Sequence, residues 1–304
     1  MAKGSEKKVT DKTIDAVENA VDKFTESIES TQRMVLRKVN GIVRNLDVKN
    51  DSIQINRNNL KVVRQLEDEL RKIVISPAYK KKLEEFLKAF EKLKDINKDY
   101  FLSLIPSFNE SKQVFGLILN SSLDSTKGSL LRAGIDQAII SPVVETIKQG
   151  ITSGMFISDL EESLRVEIIG DPDGKLTGRK RKGKLLRYTK QITRDALNQF
   201  SRNYVTTVSK EYRLEWFYYD GSVIQDTRSY CKERAGRYFH KKEVQRSANR
   251  SWAGKIANTN RSTIFTYCGG YNCRHEYLPV LKQVVPKSVV RRNIRNGNYE
   301  GELD

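Results

Sequence analysis

The chain is poor in the residues that most enzymatic chemistry uses. It has 2 histidines, 3 cysteines, 2 tryptophans and 6 prolines in 304 residues. No stretch reaches the roughly 18 consecutive apolar residues of a membrane span, so no membrane partner is expected. Residues 1–12 are polar and lack an apolar core, so no secretory leader is expected there. An odd number of cysteines without such a leader argues for a reducing compartment, with free thiols or a bound metal in place of a disulfide framework. There is no phosphate-cradling glycine loop, dinucleotide fingerprint, nucleophile elbow or paired-carboxylate nuclease pattern. Hydrophobic residues make up 38% against 31% charged, which fits amphipathic helices around small cores better than one thick core.

What is abundant is positive charge. Lysine and arginine number 55 against 38 acidic residues, a formal net charge of +17. Such an excess favours anionic partners, nucleic acid first, although a basic chain can equally sit among acidic protein neighbours.

Apolar residues recur at three- and four-residue spacings along much of the chain, the mark of amphipathic helices. Residues 1–10 read as a flexible basic tail. From 11 to about 43, Ile14, Val17, Val21, Phe24, Ile28, Met34, Val35, Val39 and Val43 form one stripe. Residues 50–59 break it, and Leu60, Val63, Leu66, Leu70 and Val74 resume it. Ser76-Pro77 opens a further helix to about residue 95, with proline at its first position and a stripe of Tyr79, Leu83, Phe86, Leu87, Phe90 and Leu93. Residues 107–121 and 129–150 also read as helical, and Ser158-x-x-Glu161 reads as a capping box opening a helix to Ile168.

The turn at 170–174 leads into a mobile basic loop carrying Lys175, Arg179, Lys180, Arg181, Lys182, Lys184 and Arg187 among glycines. It is a candidate for contacting phosphates, or a solvated loop held open by its own charge. A long helix over 185–212 follows. The pattern then changes to strands at 215–219, closed by the turn signal Asp220-Gly221 with a return over 222–225, and at 262–267 and 276–280. The expected fold is mainly α with a small C-terminal α+β module. Its division is a helical region over 11–128, a module over 129–282 (helices to 212, the α+β part from 213) and a tail over 283–304.

All the cysteines and histidines fall in that module, ending in the run Cys268-x4-Cys273-x-His275. Cys231, Cys268, Cys273 and His275, with His240 as a fifth candidate, offer the soft and borderline donors that tetrahedral zinc takes. The spacing lacks a C-x2-C knuckle, and buried hydrophobic cysteines are the alternative. A Cys/His nucleophile oriented by Asp226 or Glu233 is formally available, without any local protease signature.

The run 226–239 (Asp226, Arg228, Cys231, Arg234, Gly236, Arg237), then Trp252-Ala253-Gly254, then Gly269-Gly270-Tyr271-Asn272-Cys273-Arg274-His275 resembles the head-morphogenesis family of tailed phages, the Mu F-like minor head proteins. The family shows an Asp-x-Arg-x-x-Cys segment and a closing Asn-Cys-Arg-Cys or Asn-Cys-Arg-His element in this order. The resemblance covers roughly residues 130–282. Ile192-Thr193-Arg194-Asp195 departs from the run many members carry in the preceding helix. It implies a non-enzymatic virion component in several copies at the capsid interior or portal vertex, present in the host cytoplasm during assembly. Its implied partners are portal protein, major capsid protein and double-stranded DNA. Arg234, Arg237, Lys241, Lys242, Arg274 and the 175–187 loop are the expected DNA-facing residues. The alternative is a capsid-carried effector, a nuclease or Cys/His hydrolase, ejected with the genome.

Overall fold

The computed structural model describes residues 2–303. Helix α1 (Ala2–Val43) is followed by a hairpin of β1 (Val48–Lys49) and β2 (Ser52–Ile53). Then come α2 (Arg57–Val74), α3 (Pro77–Leu104), α4 (Lys112–Leu131), the single turn α5 (Ala133–Ile135), a wide turn Asp136–Ile140, α6 (Ser141–Thr152) and α7 (Ile157–Ile168). Strands β3 (Gly170–Asp171) and β4 (Arg181–Lys182) pair ahead of α8 (Lys184–Glu211). The remainder holds β5 (Trp216–Asp220), α9 (Ser229–Lys232), β6 (Arg237–His240), α10 (Lys241–Ser247), α11 (Ile264–Tyr267), β7 (Glu276–Val280) and α12 (Lys287–Arg295). The fold is therefore mainly helical with a small C-terminal sheet module, as the sequence leads one to expect. No helix of the described residues is long and apolar enough to cross a membrane.

The chain forms two compact units, each discontinuous in sequence. One comprises Ala20–Leu87 and Asp124–Thr193, the other Met1–Asn19, Lys88–Leu123 and Arg194–Asp304. The chain passes between them within α1, α3, α4 and α8.

In the helical unit the sequence stripes become the core. Val21, Phe24, Ile28, Val35, Val39 and Val43 of α1 are all buried, as are Leu66, Leu70 and Val74 of α2 and Tyr79, Leu83 and Phe86 of α3. The Phe24 ring lies 5.6 Å from Tyr79 and 5.4 Å from Phe86. Each such side chain contributes roughly 1.5–3 kcal/mol by leaving water. The break over 50–59 is the β1–β2 hairpin, whose turn residues Asn50 and Asp51 take φ of +52° and +60°. Asn56 then caps α2 by accepting a hydrogen bond from the Asn59 amide at 2.8 Å.

In the second unit the sheet order is β6-β5-β7, antiparallel throughout, with β5 in the centre. Alternation along β5 gives the sheet two faces. Phe217 and Tyr219, with Phe239 and Tyr277, pack against Tyr230, Cys231, Phe265, Cys268 and Cys273. Trp216 and Tyr218, with Tyr238 and Val280, pack against Val285, Val290 and Tyr299.

Five expectations need correction. Residues 2–10 are not a flexible tail but the first turns of α1, with Glu6, Val9 and Thr10 buried; Met1 lies outside the described residues. Ser158 does not cap α7, because the helix is entered at Phe156 and the Ser158 hydroxyl turns to Asp159. No strand returns over 222–225: β5 pairs instead with two distant segments. Residues 262–267 form the helical turn α11, ended where Cys268 takes a φ of +50°. The C-terminal tail is folded over its described residues, 283–303, where α12 and Tyr299 cover the Trp216 face of the sheet; Asp304 lies outside the described residues.

Candidate metal centre and basic surfaces

Two segments of the second unit, distant in sequence, converge beneath the Phe217–Tyr219 face of the sheet. Cys231 sits on α9, Cys273 in the turn before β7, and His275 at the entry to β7. Their donor atoms lie within 4.8 Å of one another, and all three residues are buried. The two sulfurs are 3.9 Å apart. A tetrahedral zinc with Zn–S of about 2.3 Å spaces its sulfurs about 3.8 Å apart, so the pair already has the required separation. The His275 ring stacks on Tyr219 at 5.5 Å, and its Nε2, in a residue only 5% exposed, has no hydrogen-bond partner. A buried imidazole with an unsatisfied nitrogen, grouped with two thiols, is a donor set that a metal ion could use. The donor set, the spacing and the orphaned nitrogen fit a metal ion.

The local chain path serves this convergence. Gly269 admits no side chain, because a Cβ there would collide with both the Cys231 and Cys273 sulfurs. Gly221, at φ +142°, has the His275 ring where a Cβ would stand, 2.7 Å away. The glycine that reads as a hairpin turn in the sequence is thus clearance for the histidine.

Helix α8 anchors the cluster from behind with residues that the sequence reading did not single out. Arg202, fully buried, donates to the Cys273 carbonyl at 2.5 Å and to the Thr266 carbonyl at 3.2 Å. Asp195 accepts from the Asn272 amide at 2.7 Å. The only signal available was two charged residues, Asp195 and Arg202, seven apart on a helix that also buries Phe200 and Tyr204. Hydrogen bonds from the Cys231 and Cys268 thiols hold the Cys273 thiol well below its ordinary value despite burial, helped by His275 and the Arg202 guanidinium. The same pairing with Cys273, together with burial, pushes Cys231 up, and burial pushes Cys268 up.

Cys268 and His240 do not join the group. Cys268 is fully buried and bonds through its thiol to the Tyr219 hydroxyl at 3.4 Å. His240 faces the other side of the sheet against Trp216, where its Nδ1 accepts from the Lys242 amide and caps α10. Of the two carboxylates that could orient a Cys/His pair, Glu233 is paired with Arg250 at 2.9 Å, and Asp226 is exposed and lies outside the donor group.

The three donor residues all line one cleft of about 280 Å³, which Arg194, Asp226, Arg228 and Arg274 also line. Arg194 forks onto Glu18 at 2.9 and 2.6 Å, and Arg274 reaches the same carboxylate at 3.2 Å.

The expected DNA-facing residues separate into three kinds. Lys175, Arg179, Lys180, Arg181, Lys182 and Arg187 are exposed and form no ion pair among the described residues. Lys184 is half-buried and paired with Glu167 at 2.9 Å. The segment is not a mobile loop but a tied hairpin. Buried Asp171 on β3 accepts hydrogen bonds from the Leu176 amide (2.9 Å), the Thr177 amide (2.7 Å) and the Thr177 hydroxyl (3.0 Å). Among the others, Arg237 is exposed, whereas Lys241 is paired with Glu215, Lys242 with Glu300 and Arg274 with Glu18. Arg234 does not face outward at all. It is buried, lies 3.7 Å over the Tyr230 ring and donates to the Tyr230 carbonyl at 3.0 Å.

These placements carry two expected outcomes. Arg234→Ala is expected to cost roughly 1–3 kcal/mol of stability, from a lost cation–π contact and a lost charge-assisted hydrogen bond, and to leave DNA affinity unchanged. Thermal melts and binding titrations on the same variant read both. For Asp171, burial would push the carboxyl up, but the hydrogen bonds from Thr177 and Leu176 win and hold it below its ordinary value. A lowered folded-state value means that the group's contribution is present above the ordinary carboxylate range and is lost as pH falls through the lowered value. The protection factors of the Leu176 and Thr177 amides, relative to free amides at the same pH, are therefore expected to fall on acidification, and to be low at neutral pH in Asp171→Asn. Equal protection in variant and wild type would contradict the tie.

No family model, no curated protein and no solved structure matches the chain.

Proposed function

We propose that the chain is a structural minor head protein of a tailed phage, bound at the portal vertex or capsid interior and contacting DNA. There it aids head assembly, genome packaging or ejection, in several copies, with portal protein, major capsid protein and double-stranded DNA as partners. It is made in the host cytoplasm and ends in the virion. Its C-terminal module holds zinc on Cys231, Cys273 and His275, which pins α9 to the segment before β7.

One observation carries the reading. Two of the short segments on which the family resemblance rests, 226–239 and 269–275, meet in space around one Cys/His group whose sulfurs are 3.9 Å apart. The net charge of +17 and the unpaired cations of the β3–β4 hairpin supply the electrostatic term that sequence-independent DNA contact needs. The cleft beside the Cys/His group favours a second reading, a capsid-carried effector such as a nuclease or Cys/His hydrolase, ejected with the genome.

Imaging of intact and DNA-emptied particles separates the two. Density at the portal vertex or inner capsid wall in both supports the structural component. Density that leaves with the DNA supports the effector, and absence from the particle contradicts both.

A further inference from the structure

We infer that the metal's fourth position is open to the cleft and takes an exogenous anionic oxygen, that of a phosphate group. The inference rests on the metal reading above and deepens it by assigning an exchangeable ligand.

Structural zinc sites close with four protein donors, whereas a site with three keeps a position for water or another ligand. Among the described residues only three donors converge here. The remaining thiol, Cys268, is fully buried and bonds to the Tyr219 hydroxyl and to the Cys273 sulfur; it stands outside the donor group and does not line the cleft. Asp226, the acidic residue of the cleft wall, also stands outside the donor group. Cys231, Cys273 and His275 each line the same cleft, so an ion held between them borders that space. The unpartnered His275 Nε2 lies in a residue 5% exposed.

The walls favour a negative ligand. Arg194, Arg228 and Arg274 line the cleft, against Asp226 and the Glu18 carboxylate that Arg194 and Arg274 share. Zinc with two thiolates is formally neutral, so one positive charge remains in excess. Arg228 uses its Nη2 on the Tyr271 carbonyl at 2.7 Å, and its guanidinium packs over Gly254, where a Cβ would stand only 2.7 Å from it. An arginine held this way is a preorganised partner for a phosphate oxygen. A DNA backbone phosphodiester and free inorganic phosphate share this chemistry.

Cobalt(II) in place of zinc, loaded into the full-length chain, tests the inference. The thiolate-to-cobalt charge-transfer band reports sulfur ligation, and the ligand-field bands report the fourth ligand. Inorganic phosphate is expected to shift the ligand-field bands saturably while the charge-transfer band stays. Arg228→Gln should weaken that phosphate dependence about tenfold, the loss of one charge-assisted hydrogen bond, and Cys268→Ala should keep the four-coordinate ligand-field bands while shifting the charge-transfer band slightly, since its thiol bonds to the Cys273 sulfur. A parallel titration with a short DNA duplex identifies the source. The same shift assigns the site to backbone phosphate, and a shift with free phosphate alone assigns it to the small ion. A charge-transfer band with ligand-field bands that phosphate never moves overturns the open position, as does loss of the four-coordinate spectrum in Cys268→Ala. Absence of the charge-transfer band overturns the metal reading itself and this inference with it.

Discussion

Replacing Lys175, Arg179, Lys180, Arg181 and Lys182 together by glutamine is expected to lower the slope of log K against log salt for duplex DNA by about 4–5. Each lysine or arginine on a phosphate releases close to one counterion. The wild-type advantage over the variant should then shrink by a few hundred-fold, on the order of 10²–10³, between 50 and 200 mM salt. The expectation is specific to this hairpin because its cations are exposed and form no ion pair among the described residues, so none has to leave a protein carboxylate to reach DNA. Lys241, Lys242 and Arg274 each already hold a carboxylate and should contribute less. Stability should change little, since surface charges away from packed features seldom matter by more than about 0.5 kcal/mol. An unchanged salt slope, with the hairpin still protected from exchange, would remove this segment from the DNA contact.

Stripping the metal, or replacing Cys273 by Ser or His275 by Ala, is expected to loosen the sheet module. Saturation at a thousand times Kd stabilises a folded state by about 4 kcal/mol. At roughly 2–4 °C per kcal/mol for a unit of this size, that lowers Tm by about 8–16 °C. The loss should be felt first where the donors join distant segments: in α9, in the turn around Gly269–Gly270 and at the start of β7. Cys268→Ala should differ in kind. It empties a buried position beside Tyr219, so it costs packing and a weak hydrogen bond yet leaves metal content intact. Calorimetry with and without chelator, run on all three variants, checks both the size and this difference. A chelator that leaves Tm unmoved would mean that the module stands on its aromatic packing alone.

Much of the helical scaffold was legible in the sequence, because a 3.6-residue period is a local signal. Of the stripe Tyr79, Leu83, Phe86, Leu87, Phe90 and Leu93, all but the half-buried Leu87 are buried, and Pro77 opens the helix. What was lost depends on distance along the chain. Strand β5 pairs with residues 237–240 and 276–280, while its sequence advertises a local turn at Asp220-Gly221. Gly221 is there for the His275 ring, a need that no neighbouring residue reveals. The run 262–267 is rich in β-branched and aromatic residues and reads as a strand, yet tertiary packing of Ile264, Phe265 and Cys268 under the sheet makes it one helical turn. The tail over 283–304 hides its role because Val289, Val290 and Tyr299 are thinly spread among arginines.

The site was half legible. Cys273 and His275 stand out by their density in a chain so poor in both residue types, and Cys231 joins them across forty-one intervening residues. The sequence could not tell Cys268 from a ligand, since its separation from the group is set by the backbone at φ +50° and by Tyr219. Arg234 reads like any arginine in a basic run, and only the stacked Tyr230 ring shows it to be part of the core. The supporting pair Asp195 and Arg202 lies on α8, far along the chain from the segment it holds.

X-ray absorption at the zinc edge of the purified full-length chain tests the central claim most directly. The account expects one zinc ligated by two sulfurs, one imidazole nitrogen and one oxygen, with the sulfur signal halved in Cys273→Ser. A chain that retains no zinc, or a zinc held by three sulfurs, would contradict it.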